Sequence, residues 1–318
     1  MIEVKSPALK KSIKLNRIIG KIKGHNTGPT MVFFGGVHGN ETAGVFALKE
    51  VFSKLNPEHI SGTLYAITGN KEALKQNKRY LNNDLNRLWF KERIISIQNK
   101  TVLNHEEKEL LELYTLIHNI IDTESGPFYF IDFHTTSSKT IPFITINDAL
   151  INRKFSSLFP VPLVLGIEEY LEGPLLSYVN QLGYVSLGFE SGQHDEKDAV
   201  INSKAFIYLA LVYANAMDAE TVIGFQIHFR QLQEQCYNIQ DAFEVIYLHR
   251  VKKEDNFKMV DGYRSFEKIK KGTVLATDGE GNILNKYKGR IFMPLYQKQG
   301  EDGFFIVRNI ESTVENSL

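Results

Sequence analysis

The sequence predicts an α/β fold over residues 1–224, a mostly parallel or mixed sheet flanked by helices, followed by a smaller all-β unit over 225–318. Three observations carry this expectation. Short apolar runs alternate with longer helical patterns through the first two-thirds of the chain. Most of those runs are continuously apolar, as strands covered on both faces require. After Gly224 the texture changes to short β-rich pieces separated by turn signals such as Asp261-Gly262, Asp278-Gly279 and Asp302-Gly303.

The expected strands of the first unit are 31–37, 63–68, 128–133, 141–146, 162–165 and 184–189. Helical patterns lie between them. Residues 42–55 carry a partial stripe of Val45, Leu48 and Phe52. Residues 104–121 are stronger, with Asn104 and Glu107 forming a cap-like start before Leu110, Leu113, Ile117 and Ile120. A third helix is expected over 199–217. Beyond Gly224 the expected strands are 243–248, 273–277 and 304–307, with no long helical pattern.

The 318 residues balance 37 Lys+Arg against 37 Asp+Glu, and 43% are hydrophobic, which suits an ordinary globular chain. Nucleic acid is not the expected partner, because such binders show a basic excess. The single cysteine, Cys236, excludes an intramolecular disulfide framework and fits a reducing compartment. No run approaches the ~18 to 20 apolar residues of a spanning helix, and the first twenty residues lack a signal-peptide apolar core. The expectation is a cytoplasmic protein that engages no membrane.

Chemistry concentrates in four places. In Gly35–Gly44 a strand gives way to a helix, and His38 and Glu41 stand three positions apart among glycines. Neither GxGxxG nor a Gly-Lys-Ser/Thr ending is present, so a phosphate loop is not indicated. Imidazole nitrogen and carboxylate oxygen are good Zn²⁺ ligands, and glycines let the backbone turn both toward one point. A catalytic zinc needs a third protein ligand, and His134 at a strand end is the best candidate. Asp132, two residues earlier on the same side of the strand, can orient a metal-bound imidazole. Glu190 closes another apolar strand, where a carboxylate is costly without a partner or a wet site. Beside a metal it can act as general base and then general acid. Finally, residues 78–89 crowd Arg79, Asn86 and Arg87 beside the only tryptophan, a composition suited to gripping carboxylates.

Taken together, HGNETAG (38–44), NDLNR (83–87), DFHTT (132–136) and GFESG (188–192) resemble the succinylglutamate desuccinylase/aspartoacylase family, relatives of the zinc carboxypeptidases. The resemblance covers the first two-thirds of the chain, and the β-rich remainder suits the family's second domain. It implies a zinc carboxypeptidase-like fold and one Zn²⁺ held by His38, Glu41 and His134. It also implies that Glu190 activates the attacking water, that Arg79 stabilises the oxyanion, and that Asn86 and Arg87 grip a substrate carboxylate. A tyrosine from the C-terminal unit belongs at such a site; Tyr296 is the candidate, with Tyr287 as an alternative.

One feature departs from the aspartoacylase pattern. Residues 166–189 contain no Lys or Arg, so the counter-charge for a second substrate carboxylate is missing. The expected substrate is a small anionic N-acyl amino acid, held by a cationic pocket of Zn²⁺, Arg79 and Arg87 and offset by Glu168, Glu169 and Glu172. A zinc carboxypeptidase acting on peptides and an inactive zinc-holding binding protein are the alternatives. A homo-oligomer is compatible with the sequence.

Overall fold

The computed structural model describes residues 1–237, 239 and 241–310. A hairpin of β1 (Ile2–Ser6) and β2 (Lys11–Leu15) leads into β3 (Ile18–Lys23) and β4 (Asn26–Gly35). Helix α1 (Ala43–Phe52), β5 (Ser61–Thr68), α2 (Lys71–Gln76), α3 (Lys91–Gln98), α4 (His105–Thr123) and β6 (Phe128–Thr136) follow. Next come β7 (Phe143–Thr145), α5 (Leu150–Ser156), β8 (Leu163–Leu165), α6 (Leu175–Gln181), β9 (Val185–Gln193), α7 (Lys197–Tyr213) and α8 (Phe225–Gln235). The remainder is β10 (Ala242–Arg250), β11 (Lys258–Met259), β12 (Glu267–Ile269), β13 (Val274–Asp278), β14 (Gly281–Leu284), β15 (Gly289–Phe292) and β16 (Asp302–Asn309).

Eleven of these strands form one mixed sheet in the order β12-β15-β16-β10-β8-β7-β9-β6-β4-β5-β3. Its centre, β5-β4-β6-β9, is parallel, so the carboxyl ends of these strands share one edge of the sheet. β7 runs antiparallel to β9 but parallel to β8. β10 pairs parallel with β8, which carries the sheet into the C-terminal third, while β11, β13 and β14 form a separate antiparallel sheet.

The continuous apolar runs have the expected cause. Along β4, Met31 and Phe33 pack into the core beneath α1 and α7, whereas Val32 and Phe34 pack into a second core beneath α4. Helices cover both faces, so both side-chain sets are apolar. Phe206 of α7 stacks on Phe189 of β9 at 4.0 Å and on Phe159 at 4.2 Å, fixing the helix over the strand that ends in Glu190. Full burial of each such ring stabilises the fold by about 1.5–3 kcal/mol. The start of α4 is a capping box. The Asn104 side chain accepts from the Glu107 amide at 3.0 Å, and the Glu107 carboxylate accepts from the Asn104 amide at 3.1 Å.

The expectation of no long helix beyond Gly224 is corrected by α8. Phe225, Phe229 and Leu232 recur at four- and three-residue spacing and dock on the α7 side of the core. His228 stacks on Tyr208 at 4.5 Å, and Gln231 donates to Asn202 at 3.0 Å. Among the described residues no helix is long and apolar enough to cross a membrane.

Candidate active site

The carboxyl ends of β4, β6 and β9 open onto a cleft, the usual location of ligand sites in such sheets. His38 and Glu41 lie on the loop that leaves β4. Gly36 makes the first bend at φ +72°, and the Gly39 amide donates to the Arg79 carbonyl at 3.1 Å. A Cβ on Gly39 would stand 2.1 Å from the Ala73 carbonyl carbon, so only glycine fits beneath α2. His134 sits on β6 directly beside Glu190 in the register of β9, so both side chains leave the same face.

These positions converge. One ligand atom each from His38, Glu41 and His134 lies within 4.8 Å of the others, and all three residues are buried. His38 Nδ1 stands 2.9 Å from Glu41 Oε1, and His134 Nδ1 stands 3.0 Å from Glu41 Oε2. Each imidazole has its Nε2 committed elsewhere, to Asp84 at 3.0 Å for His38 and to Asp132 at 2.6 Å for His134. With Nε2–H donated to a carboxylate, the lone pair on Nδ1 points into the cluster. His38 Nδ1 makes no hydrogen bond despite its proximity to Glu41, leaving a buried nitrogen and a carboxylate oxygen facing each other. A cation between them resolves that conflict, and a two-His, one-Glu donor set suits zinc. The residues therefore fit the metal.

The surrounding charges agree with this geometry. Burial disfavours the Glu41 carboxylate, but His38 and His134 outweigh it and hold its carboxyl well below the usual range. Burial opposes ionised Asp84 too, and His38 and Arg79 prevail in the same direction. Burial works against charged His134, yet Asp132 and Glu41 push its imidazole well above its ordinary value. The donor cluster thus attracts positive charge. Glu190 behaves in the opposite way: burial is the leading cause that raises its carboxyl to about 7, and its Oε2 has no partner.

Arg79 is fixed by Asp84, whose Oδ2 accepts from Nε at 3.2 Å and Nη2 at 3.1 Å, while Nη1 reaches Glu41 Oε1 at 3.3 Å. Asp84 Oδ1 serves both His38 and the Asn86 amide, so one carboxylate ties the imidazole to the guanidinium. The loop between them hangs on Glu106, a buried residue in the first turn of α4. Its carboxylate accepts from the amides of Leu81 at 2.7 Å, Asn82 at 3.0 Å and Asn83 at 3.3 Å.

Asn86 and Arg87 also line the cleft. The Asn86 side-chain oxygen accepts from the Leu175 amide at 2.9 Å, and Arg87 pairs with Asp302 of β16 at 2.6 Å. Tyr296 is placed differently from the expectation. Its hydroxyl donates to the Val260 carbonyl at 2.7 Å and accepts from the Tyr263 amide at 2.9 Å, and neither it nor Tyr287 is among the residues lining the cleft. The C-terminal third reaches the cleft instead through residues such as Met293, Leu295, Gln297 and Asp302, with Gln297 accepting from Asn40 at 2.8 Å.

Asp84, Glu106, Gln297 and Asp302 were not singled out from the sequence. Asp84 stood inside the NDLNR segment, and its position among three basic or amide residues was the available signal. The other three act through contacts distant in sequence, which no local pattern announces.

Residues 27–219 match the family model described as the succinylglutamate desuccinylase/aspartoacylase catalytic domain. The chain belongs to the succinylglutamate desuccinylase/aspartoacylase family, a family of hydrolases that remove acyl groups. A probable aspartoacylase of Acaryochloris marina is 28% identical over 165 residues, 48% of this chain and 52% of that protein, so the match spans about half that relative's length. A probable aspartoacylase of Prochlorococcus marinus is 25% identical over 284 residues, covering 82% of this chain and 84% of that one. In fold, the chain is similar to the succinylglutamate desuccinylase/aspartoacylase of Rhodobacter sphaeroides, with TM-score 0.68 and 16% identity over 97% of this chain and 94% of that one. An aspartoacylase family protein of Mesorhizobium loti gives TM-score 0.64 at 15% identity, covering 97% and 93%.

Proposed function

We propose that this chain is a zinc-dependent amidohydrolase that cleaves the amide bond of a small N-acyl amino acid. The observation that carries the reading is the buried His38–Glu41–His134 cluster, whose two Nδ1 atoms face one carboxylate beside the unpaired Glu190. A Zn²⁺ held by these three residues would supply a Lewis acid and lower the pKa of water toward ~7.

The chain's own residues supply the rest. Glu190, its carboxyl raised by burial to about 7, takes a proton from the attacking water and returns it to the leaving amine. Arg79, oriented by Asp84 in a two-point grip, meets the acyl oxygen as it gains charge. Arg87 exchanges Asp302 for the substrate carboxylate, and Asn86 adds a directional hydrogen bond. Residues 1–224 carry the catalytic groups in this reading, and 225–318 close the cleft through Gln297 and Asp302.

The test is Glu190→Gln in the zinc-loaded protein, screened over N-acyl amino acids and short peptides. The variant keeps its zinc and loses turnover of the N-acyl amino acids that the wild type cleaves. Unchanged turnover would remove Glu190 from the reaction, and cleavage confined to peptides would make the protein a carboxypeptidase.

A further inference from the structure

Six side chains that line the cleft are apolar and only partly covered by protein, so a ligand can reach them. Ile167, Leu171, Pro174 and Leu176 come from the segment between β8 and the first turn of α6, and Met293 and Leu295 from the turn between β15 and β16. Ile167, Leu171 and Met293 pack against one small core that contains Phe305 of β16, which joins the two stretches into one apolar surface. Leu176 lies against Gly188 of β9, two residues before Glu190; a Cβ there would stand 3.2 Å from Leu176 Cδ1 and 2.6 Å from Thr145 Oγ1. Met293 holds a left-handed backbone at φ +47°, a conformation costly for any residue with a branching Cβ and rare outside Gly and Asn. Its amide donates to the Ser265 hydroxyl at 3.1 Å, so the surroundings hold a flexible thioether at the cleft against that strain.

This surface adjoins the residues proposed to grip the substrate carboxylate. The Asn86 side-chain oxygen accepts from the Leu175 amide at 2.9 Å, and the Gly173 carbonyl accepts from the Trp89 amide at 3.0 Å. A Cβ on Gly173 would stand 2.7 Å from the Arg87 carbonyl oxygen. Pro174 and Leu176 therefore stand beside Asn86 and Arg87. In an N-acyl amino acid the side chain leaves the carbon that bears the carboxylate, whereas the acyl group lies beyond the amide. The apolar surface is thus at the side-chain end. Among the described residues lining the cleft, Arg79 and Arg87 are the only Lys or Arg, and the proposed reaction uses both. Glu168 also lines the cleft, but its Oε1 accepts from the Asp148 amide at 2.6 Å and its Oε2 is fully shielded. One oxygen is engaged, the other is out of a ligand's reach, and an anionic side chain would meet only repulsion from it.

We infer that the cleft selects N-acyl derivatives of amino acids with an uncharged apolar side chain, received by Ile167, Leu171, Leu176 and Met293, over those of acidic amino acids. The inference rests on the deacylase reading for the rest of the substrate, and it makes these four specificity residues with no part in the chemical step.

The experiment measures binding first and turnover second. Zinc-loaded Glu190→Gln protein is titrated calorimetrically with Nα-acetylleucine, Nα-acetylalanine and Nα-acetylaspartate, whose side chain is close to that of leucine in size but charged. Each buried methylene is a gain of about fourfold in affinity. The leucine derivative, with three more carbons, therefore binds about tenfold to sixtyfold more tightly than the alanine derivative. The aspartate derivative binds most weakly, because its second carboxylate loses water without gaining a partner. Adding Leu171→Asn or Leu176→Asn cuts the advantage of leucine over alanine by about fourfold or more, and the second variant serves if the first fails to fold. Adding Leu158→Asn, an exposed leucine outside the cleft lining, keeps it. Equal affinity for the leucine and alanine derivatives, tightest binding of the aspartate derivative, absence of binding by all three, or an advantage that survives both cleft variants overturns the inference. Wild-type turnover of the same compounds separates the two readings. Leucine preference with no hydrolysis refutes the deacylase assignment and leaves the apolar subsite standing; hydrolysis that favours the aspartate derivative does the reverse.

Discussion

Replacing Asp84 by Asn probes the junction between the His38–Glu41–His134 cluster and Arg79. Its two oxygens divide the work: Oδ1 accepts from His38 Nε2 at 3.0 Å and the Asn86 amide at 2.9 Å, while Oδ2 accepts from Arg79 Nε and Nη2. Asparagine has one oxygen. With that oxygen toward His38, its NH₂ group faces the guanidinium, donor against donor, and Arg79 is released. Turned over, it keeps Arg79 and repels His38. In the first arrangement, under the proposed mechanism, loss of Arg79 as a positioned oxyanion donor lowers kcat by about 10²–10³-fold. In the second, loss of the carboxylate behind a ligand imidazole lowers zinc affinity by about 10–100-fold, or roughly 1.4–2.7 kcal/mol. Asp132→Asn is the control, because Asp132 holds only His134 and does not touch Arg79. Zinc affinity by chelator competition and kcat at saturating zinc are measured for both variants. Asp132→Asn loses affinity with a smaller change in kcat, whereas Asp84→Asn loses kcat more steeply or loses both. An Asp84→Asn protein with wild-type zinc affinity and wild-type kcat would refute the coupling.

Other outcomes follow from the same geometry. Gly39→Ala drives a Cβ into the α2 backbone, so it lowers stability by about 1–3 kcal/mol or more, read by chemical denaturation; a neutral change would show that the loop can move. Asp302→Asn frees Arg87 and lowers KM for carboxylate-bearing substrates, and an unchanged KM would put the carboxylate grip elsewhere. Glu124 anchors the end of α4 to β5 and β3; burial opposes its charge, but hydrogen bonds from Tyr65, Lys21 and Thr63 lower its carboxyl from 4.5 to about 2. The folded chain therefore ionises Glu124 at lower pH than the unfolded chain does. That stabilisation is complete above the unfolded value of 4.5 and is lost as pH falls toward 2. The stability difference between wild type and Glu124→Gln should shrink across that window, and a constant difference would remove the linkage.

Elements whose cause is local were legible in the sequence. The run Met31–Phe34 reads as a strand because both of its faces are covered, and Asn104 with Glu107 reads as a helix start because the cap is made within four residues. The convergence of His38, Glu41 and His134 could also be anticipated, since each stands at or just beyond the end of an apolar strand and parallel strands bring such ends together. Helix α8 was missed although Phe225, Phe229 and Leu232 mark one face, because the polar residues between them lower the average hydrophobicity of the segment. Tyr296 shows the opposite error: family likeness places a tyrosine at the site, while the turn at 260–263 captures this hydroxyl. Glu106 was out of reach, for a helix-start Glu looks the same whether it faces water or three backbone amides.

That Glu106 anchor divides the cleft into parts with different freedom to change. The arginine-bearing loop takes its shape from a regular nineteen-residue helix, so its geometry is inherited from the scaffold. Between β8 and α6, the stretch 167–171 makes no hydrogen bond to that loop, whereas Gly173 and Leu175 just beyond it do, through the Trp89 amide and the Asn86 side chain. Such an arrangement lets one catalytic apparatus be fitted to new substrates by editing a short stretch of sequence. For an engineer, residues 167–171 are the place to vary, and the 79–87 loop with its helix and its contacts at Gly173 and Leu175 is the part to leave intact.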